Sequence, residues 1–382
     1  MHDPAHTIMM PYCAVLALRH AIFFVMKWRF YPLTHGCFDA GFTYTQGRKE
    51  RIMHVTQKQI AELLGLSQMT VHKALCGHPK ISQKTRQRVL AMAEKLGYRR
   101  NTAAATMRTG KTSVVSLLLS TILHRSILPQ TFLFHLQHEL QNHGYALQLE
   151  QLPDHTLNDR QALPHALQEW RSDAILINYH SEIPPLMKTI LTSQDIPFLW
   201  LNSDQPHDAV YPDDKAAATL LCHTLIAMGH RHIVYCDTTR QTHYSSLARE
   251  AGYTSAMKDA GLVPRRIGSF PTKEKHILQQ ELHQVLTAEP KPTAFIAYSP
   301  EEAVHLLHAT ILHAPSPEDR PLVTTFAGQP LTLLDVPLPT MMFPYAKMAR
   351  HAVEMLLQKL ADVHTKLPSR KVPFHLHVPE QT

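Results

Sequence analysis

The stretch VTQKQIAELLGLSQMTVHKALCGHPKISQKTRQRVLAMAEKLGYRRNTAAATMRTGK, residues 55–111, decides how the rest of the chain is interpreted. It contains eleven lysines and arginines and only two acids, which gives a net charge of +9. Residues 112–382 carry 21 basic residues and 26 acids, a net charge of −5, although the whole chain is at +7. Because the positive charge is concentrated in one segment, an anionic partner is expected for that segment alone.

Apolar residues in this stretch recur at helical spacing, between signals that start and stop helices. The pattern predicts three short helices, which cover 57–64, 68–76 and 83–96. Each is preceded by a hydroxyl residue suited to cap a helix, and these are Thr56, Ser67 and Ser82. Gly65 allows a tight turn between the first two helices, so the sequence predicts a helix-turn-helix.

A helix-turn-helix places the exposed side of its second helix in the major groove of DNA. The candidates for reading base edges are Gln68, Met69, His72 and Lys73. The candidates for phosphate contacts are Thr56, Ser67, Thr70, Ser82, Lys84, Thr85 and Asn101. The alternative is an ordinary three-helix bundle with a solvated basic face. The net charge favours DNA, because lysine and arginine bind duplexes by neutralising phosphates.

The stretch resembles the headpiece of the lactose/galactose-repressor (LacI/GalR) family of bacterial transcription factors. The resemblance is carried by VTQKQIAELLGLSQMTV, EKLGYR and MRTGKT. It implies that residues 101–111, too short for a stable isolated helix, form a hinge helix that orders on DNA. Met107 then occupies the position of an apolar wedge inserted between base steps of the minor groove, although it could be a plain linker residue. Two positions depart from the family: Arg100 replaces a usual proline and Lys73 a usual arginine.

Beyond residue 112, predicted strands and helices alternate, which is typical of parallel, doubly wound sheets. The predicted strands cover 113–120, 145–150, 174–178, 198–202, 232–237, 294–298 and 322–326. The predicted helices cover 130–143, 163–170, 185–193, 214–228, about 249–260 and 347–361. The number of strands predicts two sheets in tandem.

This part resembles the effector domain of the same family, which is similar to periplasmic sugar-binding proteins. The segments AMGHRHIVY and DVPLPTMMFPYAKMARHAVEMLL carry the resemblance. The fold expected is therefore a helix-turn-helix headpiece (54–100), a hinge (101–111) and an α/β periplasmic-binding-protein-like effector and dimerisation domain (112–382) of two doubly wound subdomains. The family pattern implies three crossings of the chain between those subdomains, near 212, 318 and 343.

Open α/β sheets bind ligands at the carboxyl ends of their strands. The resemblance and this rule give six effector-binding candidates, Arg125, Ser126, Asn202, Asp213, Arg249 and Tyr298. Arg249 matches an arginine that contacts the effector in many members, although a surface helix arginine is the alternative. Ser299-Pro300 and Phe326-Ala327-Gly328 replace the family's Asn-Asp and Gly-Phe-Asp. A small sugar-like effector is expected, but these departures weaken the case for an ordinary hexose.

Residues 1–53 do not resemble the rest of the chain. The apolar run 14–26 is interrupted by Arg19 and His20, is too short to span a membrane, and lacks the cleavage site of a signal peptide. Lys49-Glu50 can be encoded as a ribosome-binding sequence just before Met53. We expect translation to start at Met53, which would make the preceding residues a non-native extension.

Several classes of function find little support in the sequence. The five cysteines show no CxxC motif, which favours a reducing cytoplasm over a disulfide framework. The 28 histidines show no spacing that implies a third metal ligand, so we expect no metal. P-loop, GxGxxG, GxSxG and HExxH motifs are missing, and we expect neither a cofactor nor catalysis.

The sequence therefore predicts a cytoplasmic, nucleoid-associated transcriptional regulator, most simply a repressor. Its partners would be double-stranded operator DNA, a small sugar-like effector and a second copy of the chain, with no membrane. A sugar-binding receptor without DNA function is the rival, but it would need a signal peptide and no basic headpiece. A sugar-acting enzyme would need two carboxylates facing the cleft, and the adjacent Asp213 and Asp214 rarely form such a pair.

Overall fold

A computed structural model describes residues 55–99, 106–107, 109–122, 125–152, 165–169, 171–179, 183, 185–193, 195–239, 243–268 and 275–380. The chain divides into two compact units, one ending at Arg99 and one beginning at Arg100. We call the described part of the first unit, residues 55–99, the headpiece and the second the larger unit. The expected extension before Met53 and the candidate Asn101 lie outside the described residues.

The headpiece consists of α1 (Gln57–Leu64), α2 (Gln68–Leu75) and α3 (Gln83–Lys95). Its small core is formed by apolar residues from one face of each helix, namely Ile60, Ala61, Val71, Ala74, Val89 and Ala93. Gly65 ends α1 with a φ of 64°, a left-handed conformation that glycine adopts without a steric penalty. The predicted helix-turn-helix is confirmed, and the helix bounds differ from prediction by at most one residue.

The larger unit begins with a six-stranded parallel sheet in the order β13-β5-β4-β3-β1-β2. Its strands are β1 (Val114–Ser120), β2 (Ala146–Leu152), β3 (Ala174–Asn178), β4 (Phe198–Leu201), β5 (Ala209–Pro212) and β13 (Arg370–Val372). Its helices are α4 (Gln130–Asn142), α5 (His165–Gln168), α6 (Pro185–Ser193) and α11 (Tyr345–Ala361). Alternate strand residues face α4 and α11 on one side and α6 on the other, so both faces are buried.

A second six-stranded sheet has the order β14-β12-β9-β8-β6-β7. Its strands are β6 (Ile233–Cys236), β7 (Arg265–Ile267), β8 (Ala294–Ala297), β9 (Leu322–Ala327), β12 (Thr340–Met342) and β14 (His375–His377). Helices α7 (Asp214–Ala227) and α8 (Tyr244–Asp259) cover one face; α9 (Lys275–Thr287) and α10 (Pro300–His313) cover the other. A hairpin, β10 (Leu331–Leu333) and β11 (Val336–Leu338), precedes β12. The predicted pair of doubly wound subdomains is confirmed.

Within the described residues the chain passes between the two subdomains at three crossings. The first lies between β5 and α7, the second between β12 and α11, and the third between β13 and β14. The predicted crossing near 318 is wrong, because residues 317–319 form a short 3₁₀ helix between α10 and β9, and both of these belong to the second subdomain. The chain instead crosses near 373, where β13 pairs with β5 and β14 pairs with β12.

Candidate nucleic-acid interface and effector cleft

The three headpiece helices begin in the same way, with a hydroxyl side chain that caps the first turn. Thr56 Oγ1 accepts from Gln59 N at 3.3 Å, Ser67 Oγ from Thr70 N at 3.1 Å and Ser82 Oγ from Thr85 N at 3.2 Å. The first turns of α1, α2 and α3 contain no acidic residue. The partial positive charge of each helix N-terminus is therefore not opposed by a local carboxylate, and such termini bind phosphate oxygens.

The four base-reading candidates all lie on α2, away from Val71, which faces the core. Gln68 and Met69 are exposed, and His72 and Lys73 are half-buried. The Cys76 Sγ lies 3.7 Å from His72 Nε2, one helical turn away. Cys76 is not among the four base-reading candidates, although its i,i+4 spacing from His72 could have indicated this contact.

The remaining phosphate candidates lie next to the caps. The Thr70 and Thr85 hydroxyls bond to Ser67 Oγ at 2.8 Å and Ser82 Oγ at 2.9 Å. Lys84 is exposed in the first turn of α3. These side chains lie at the N-termini of α2 and α3. Their hydroxyl and ammonium groups can donate hydrogen bonds to phosphate oxygens.

In the larger unit, Met107 has a helical backbone and its side chain is 90% exposed. Thr106 and Thr109 are also helical, and Gly110 N donates to Thr106 O at 2.8 Å. An exposed methionine on a short helical segment presents apolar surface that this unit leaves uncovered, as the expected wedge requires.

At the carboxyl end of β1, the two adjacent candidates differ. Ser126 is buried; its hydroxyl accepts from Ser120 N at 2.7 Å and donates to the carbonyl of Asn178. It thus joins the loop after β1 to the end of β3. The neighbouring Arg125 is half-buried and its Nη1 donates to Tyr179 Oη at 3.3 Å. The geometry gives Ser126 a role in shaping the loop and leaves Arg125 closer to solvent.

Asn202, at the end of β4, takes part in a contact across the cleft between the subdomains. Tyr244 Oη on α8 donates to Asn202 Oδ1 at 3.4 Å, and its ring meets that of Tyr211 edge-on at a centroid distance of 5.6 Å. Burial raises the pKa of Tyr244 well above its ordinary value, and nearby Asp214 acts in the same direction. Tyr244 therefore remains a neutral donor. Tyr244 is not among the sequence-based candidates, since nothing local marks a tyrosine that bridges two subdomains.

Asp213 lies at the first crossing between the subdomains, and Tyr298 lies on the second subdomain's side of the cleft. Asp213 Oδ1 accepts from Ala216 N at 3.2 Å and caps α7. The Tyr298 hydroxyl lies 2.8 Å from Ser245 Oγ. Both side chains follow a strand of a parallel sheet, β5 and β8, which is the usual place for ligand contacts in this type of fold.

Arg249 is almost completely buried, at 3% exposure, so the alternative of a surface arginine is wrong. Its Nε donates to Asp214 Oδ1 at 2.7 Å and its Nη1 to the Tyr298 carbonyl at 2.6 Å. Burial raises the pKa of the Asp214 carboxyl, and the adjacent guanidinium opposes that shift. Asp214 in turn raises the pKa of Arg249 against the effect of burial, so the arginine keeps its charge.

Two family models match separate parts of the chain. The model described as "Bacterial regulatory proteins, lacI family" matches residues 56–101, which include all three headpiece helices. The model described as "Periplasmic binding protein-like domain" matches residues 222–379. A lacI-family model and a periplasmic binding protein-like model thus match this chain in that order, over the headpiece and over most of the second subdomain.

Several transcriptional regulators are similar to this chain at modest identity. The transcriptional regulator AglR of Rhizobium meliloti (strain 1021) is 30% identical over 216 residues, 55% of this chain and 60% of AglR. The repressor PurR of Aliivibrio salmonicida (strain LFI1238) is 23% identical over 81% of this chain and 93% of PurR. The matched region thus spans about three fifths of AglR and nearly all of PurR.

The solved structure of the Lac repressor dimer bound to operator and the anti-inducer ONPF is similar in fold. The TM-score is 0.66 at 19% sequence identity, and the match covers 85% of this chain and 97% of the other. At this identity the likeness establishes a shared architecture.

Two departures of this chain from the LacI-family pattern acquire a structural role. Ser299 Oγ accepts from Glu301 N at 3.2 Å and caps α10, and Pro300 occupies the first turn, where a missing N–H costs nothing. The buried Glu302 holds the Thr238 amide and the Ser299 hydroxyl. The pair that replaces Asn-Asp therefore organises the start of α10, which comes directly after β8 and Tyr298.

Two further observations concern metal sites and membrane-spanning helices among the described residues. Within the described residues, no group of three or more His, Cys, Asp and Glu side chains could hold a metal ion. No helix among those residues is long and apolar enough to cross a bilayer.

Proposed function

We propose that this chain is a ligand-responsive transcriptional regulator, acting as a repressor, that binds a pseudo-palindromic DNA operator as a homodimer. The observation that carries the proposal is the headpiece surface: three hydroxyl-capped helix N-termini without acids, beside an exposed α2 face. Two such headpieces related by a twofold axis would require two half-sites in opposite orientation. The protein would act in the cytoplasm, on the nucleoid.

Contacts to DNA would divide into two kinds. Phosphate oxygens would be held by the caps and their neighbours, Thr56, Ser67, Thr70, Ser82, Lys84, Thr85 and Asn101. Base edges would be read by Gln68, Met69, His72 and Lys73. A lysine ammonium reaches guanine O6 and N7 as a point donor, whereas an arginine would bind both with a planar fork. Together with His72, Lys73 should favour an operator half-site unlike that of most LacI-family members.

The hinge segment would add a minor-groove contact. Met107 is exposed and helical, and inserting it between two base steps would cost unstacking energy while bending the duplex. The bend would raise specificity for flexible pyrimidine–purine steps at the centre of the operator.

The effector would be a small sugar-like molecule held between the subdomains. Arg125, Asn202, Asp213 and Tyr298 are its proposed contacts, and Tyr244 joins them because it already spans the cleft. Ser126 would support the loop that carries Arg125. These groups are mainly hydroxyl, amide and carboxylate donors and acceptors, which suits a ligand rich in hydroxyl groups.

Two rival functions predict different behaviour. A sugar receptor would bind the same ligand and show no affinity for DNA. A sugar-acting enzyme would convert the ligand. The relatives are transcriptional regulators, and this supports a regulator over an enzyme.

The test is footprinting on the DNA upstream of the protein's own gene, with and without a panel of mono- and disaccharides. We expect one protected pseudo-palindrome and at least one sugar that changes the protection. The control variant Gln68→Ala/Lys73→Ala keeps all three caps and should lose selective protection while retaining weak binding to any duplex. Sugar binding without any DNA protection would replace the proposal by the receptor, and turnover of a sugar would replace it by the enzyme.

A further inference from the structure

Arg249 contacts all three crossings between the subdomains. Its Nε bonds to Asp214, which begins α7 directly after the first crossing, at 2.7 Å. Its guanidinium carbon lies 5.2 Å from the centre of the Phe343 ring, at the second crossing, and 5.8 Å from that of Phe374, at the third. These four residues, Asp214, Arg249, Phe343 and Phe374, are called the crossing cluster below.

The rings of the crossing cluster also contact each other. The Phe343 and Phe374 ring centres are 4.9 Å apart, so the second and third crossings touch directly. Phe326 at the end of β9 lies under the guanidinium at 4.0 Å and meets Phe374 edge-on at 5.7 Å. A flat guanidinium can stack on rings and bond through its edge at the same time, which an ammonium cannot do.

The positions of these residues suit a part in domain motion. When two subdomains close on a ligand, a few residues at the crossings absorb the change in backbone angles. A side chain that contacts each crossing makes their movements depend on one another. Backbone bonds reinforce this: Asp213 N donates to the Val372 carbonyl at 2.9 Å, which joins the first crossing to the strand that leads into the third.

Arg249 is poorly placed to act as an ordinary effector contact in this conformation. It is 3% exposed, and two of its three nitrogens already bond to Asp214 and the Tyr298 carbonyl. The contact to Tyr298 links the cluster to a side chain that we propose to touch the effector. A ligand at Tyr298 could thus be sensed at the crossings through one arginine.

We propose that Arg249 is a positioning residue that ties the three crossings together, so that closure on the effector moves them as a unit. The regulatory meaning of this coupling rests on the proposed function. The coupling itself belongs to the larger unit and can be measured without DNA or sugar.

The test is peptide-level hydrogen exchange on the full chain, comparing the unsubstituted protein with Arg249→Met. If the substitution loosens only the crossings, amide hydrogens there should exchange about tenfold faster or more than in the unsubstituted protein. The amides of the buried strands β3 and β8 should keep their exchange rates. A merely structural role would instead speed exchange throughout the larger unit. The matched control is Arg266→Met, which removes a less deeply buried arginine, one paired with Glu250 at 3.4 Å, and should leave the crossings unchanged.

Because Arg249→Met leaves Asp214 buried without its partner, that variant could unfold. The double variant Asp214→Asn/Arg249→Met removes both charges and should restore the fold while still lacking the link. Faster exchange at all three crossings in the folded double variant would support the proposal. Unchanged exchange at the second and third crossings would overturn it.

The two proposals fail separately. A missing footprint would remove the proposed function and leave the exchange result standing. Unchanged crossings beside a sugar-sensitive footprint would remove the role of Arg249 and leave the regulator intact.

Discussion

The headpiece and the larger unit use charged side chains in opposite ways. In the headpiece the basic residues Lys58, Lys80 and Lys84 are exposed, and no buried ion pair is recorded among residues 55–99. In the larger unit, Asp214 with Arg249 and Asp208 with Lys359 are buried ion pairs. Charge at a surface contributes little to folding and is available to a partner, whereas a buried pair constrains the chain that encloses it.

This difference matches the two proposed roles, which are recognition of DNA by the headpiece and response to a ligand by the larger unit. A surface with many exposed basic side chains gains most from an external polyanion, which fits the proposed DNA contact. A unit with buried ion pairs can respond to a ligand by rearranging those contacts. Of the two buried pairs, Asp214 with Arg249 lies at the first crossing. Asp208 with Lys359 lies at the C-terminal end of α11, where Lys359 also donates to the Thr365 carbonyl at 2.7 Å.

The largest effect is expected from removing an internal charge. Lys359→Met leaves Asp208 buried and unpaired, so the free energy of unfolding of the larger unit should fall by about 3–5 kcal/mol. Urea unfolding followed by circular dichroism measures this. The matched control is Lys58→Met: Lys58 pairs with Glu62 at 3.9 Å on an exposed helix face, so its loss should cost about 0.5 kcal/mol or less. Similar losses in the two variants would contradict the contrast between the units.

A smaller effect is expected for Lys73→Ala, which removes a proposed base contact. Affinity for the cognate operator should fall by about 1–3 kcal/mol, while binding to unrelated duplexes changes little. Fluorescence anisotropy with a cognate and a scrambled duplex measures the difference. An equal loss on both would mean that Lys73 contacts phosphate and does not read bases. Lys95→Ala, at the last turn of α3, serves as the control for a change of net charge.

The smallest effect is expected for Lys84→Ala, at the first turn of α3. Loss of one phosphate contact should reduce the slope of log affinity against log salt by about 0.9, equally for all sequences. Titrations at several salt concentrations measure the slope. A sequence-dependent loss with an unchanged slope would move Lys84 to the base-reading group and blur the division between the two kinds of contact.

Local signals explain why the headpiece could be predicted so closely. Thr56, Ser67 and Ser82 act on amides within three residues, and the apolar spacing of each helix sets its buried face. The same logic could have located α10, because Ser299 followed by Pro300 is a helix start. The start of α8 was harder: it is capped by His243, whose Nδ1 accepts from Ser245 N at 3.1 Å, and histidine is not a usual cap.

The wrong prediction of a crossing near residue 318 shows that local sequence signals do not determine to which subdomain a segment belongs. Whether a segment belongs to one subdomain or the other depends on which sheet edge receives its last strands. Arg370 pairs with Val210 and His377 with Thr340, and those partners are far away in the chain. No pattern within 370–377 specifies them, since two three-residue strands look alike.

By itself the sequence determined the headpiece and the alternation of strands and helices, because each follows from neighbours within a few positions. Only the tertiary structure decided what surrounds Arg249. Asp214, Phe343 and Phe374 come from three separate segments, and they meet around one guanidinium because two sheets and three crossings bring them there. The energy of such contacts depends on burial and on distance in space, which the order of residues along the chain does not reveal.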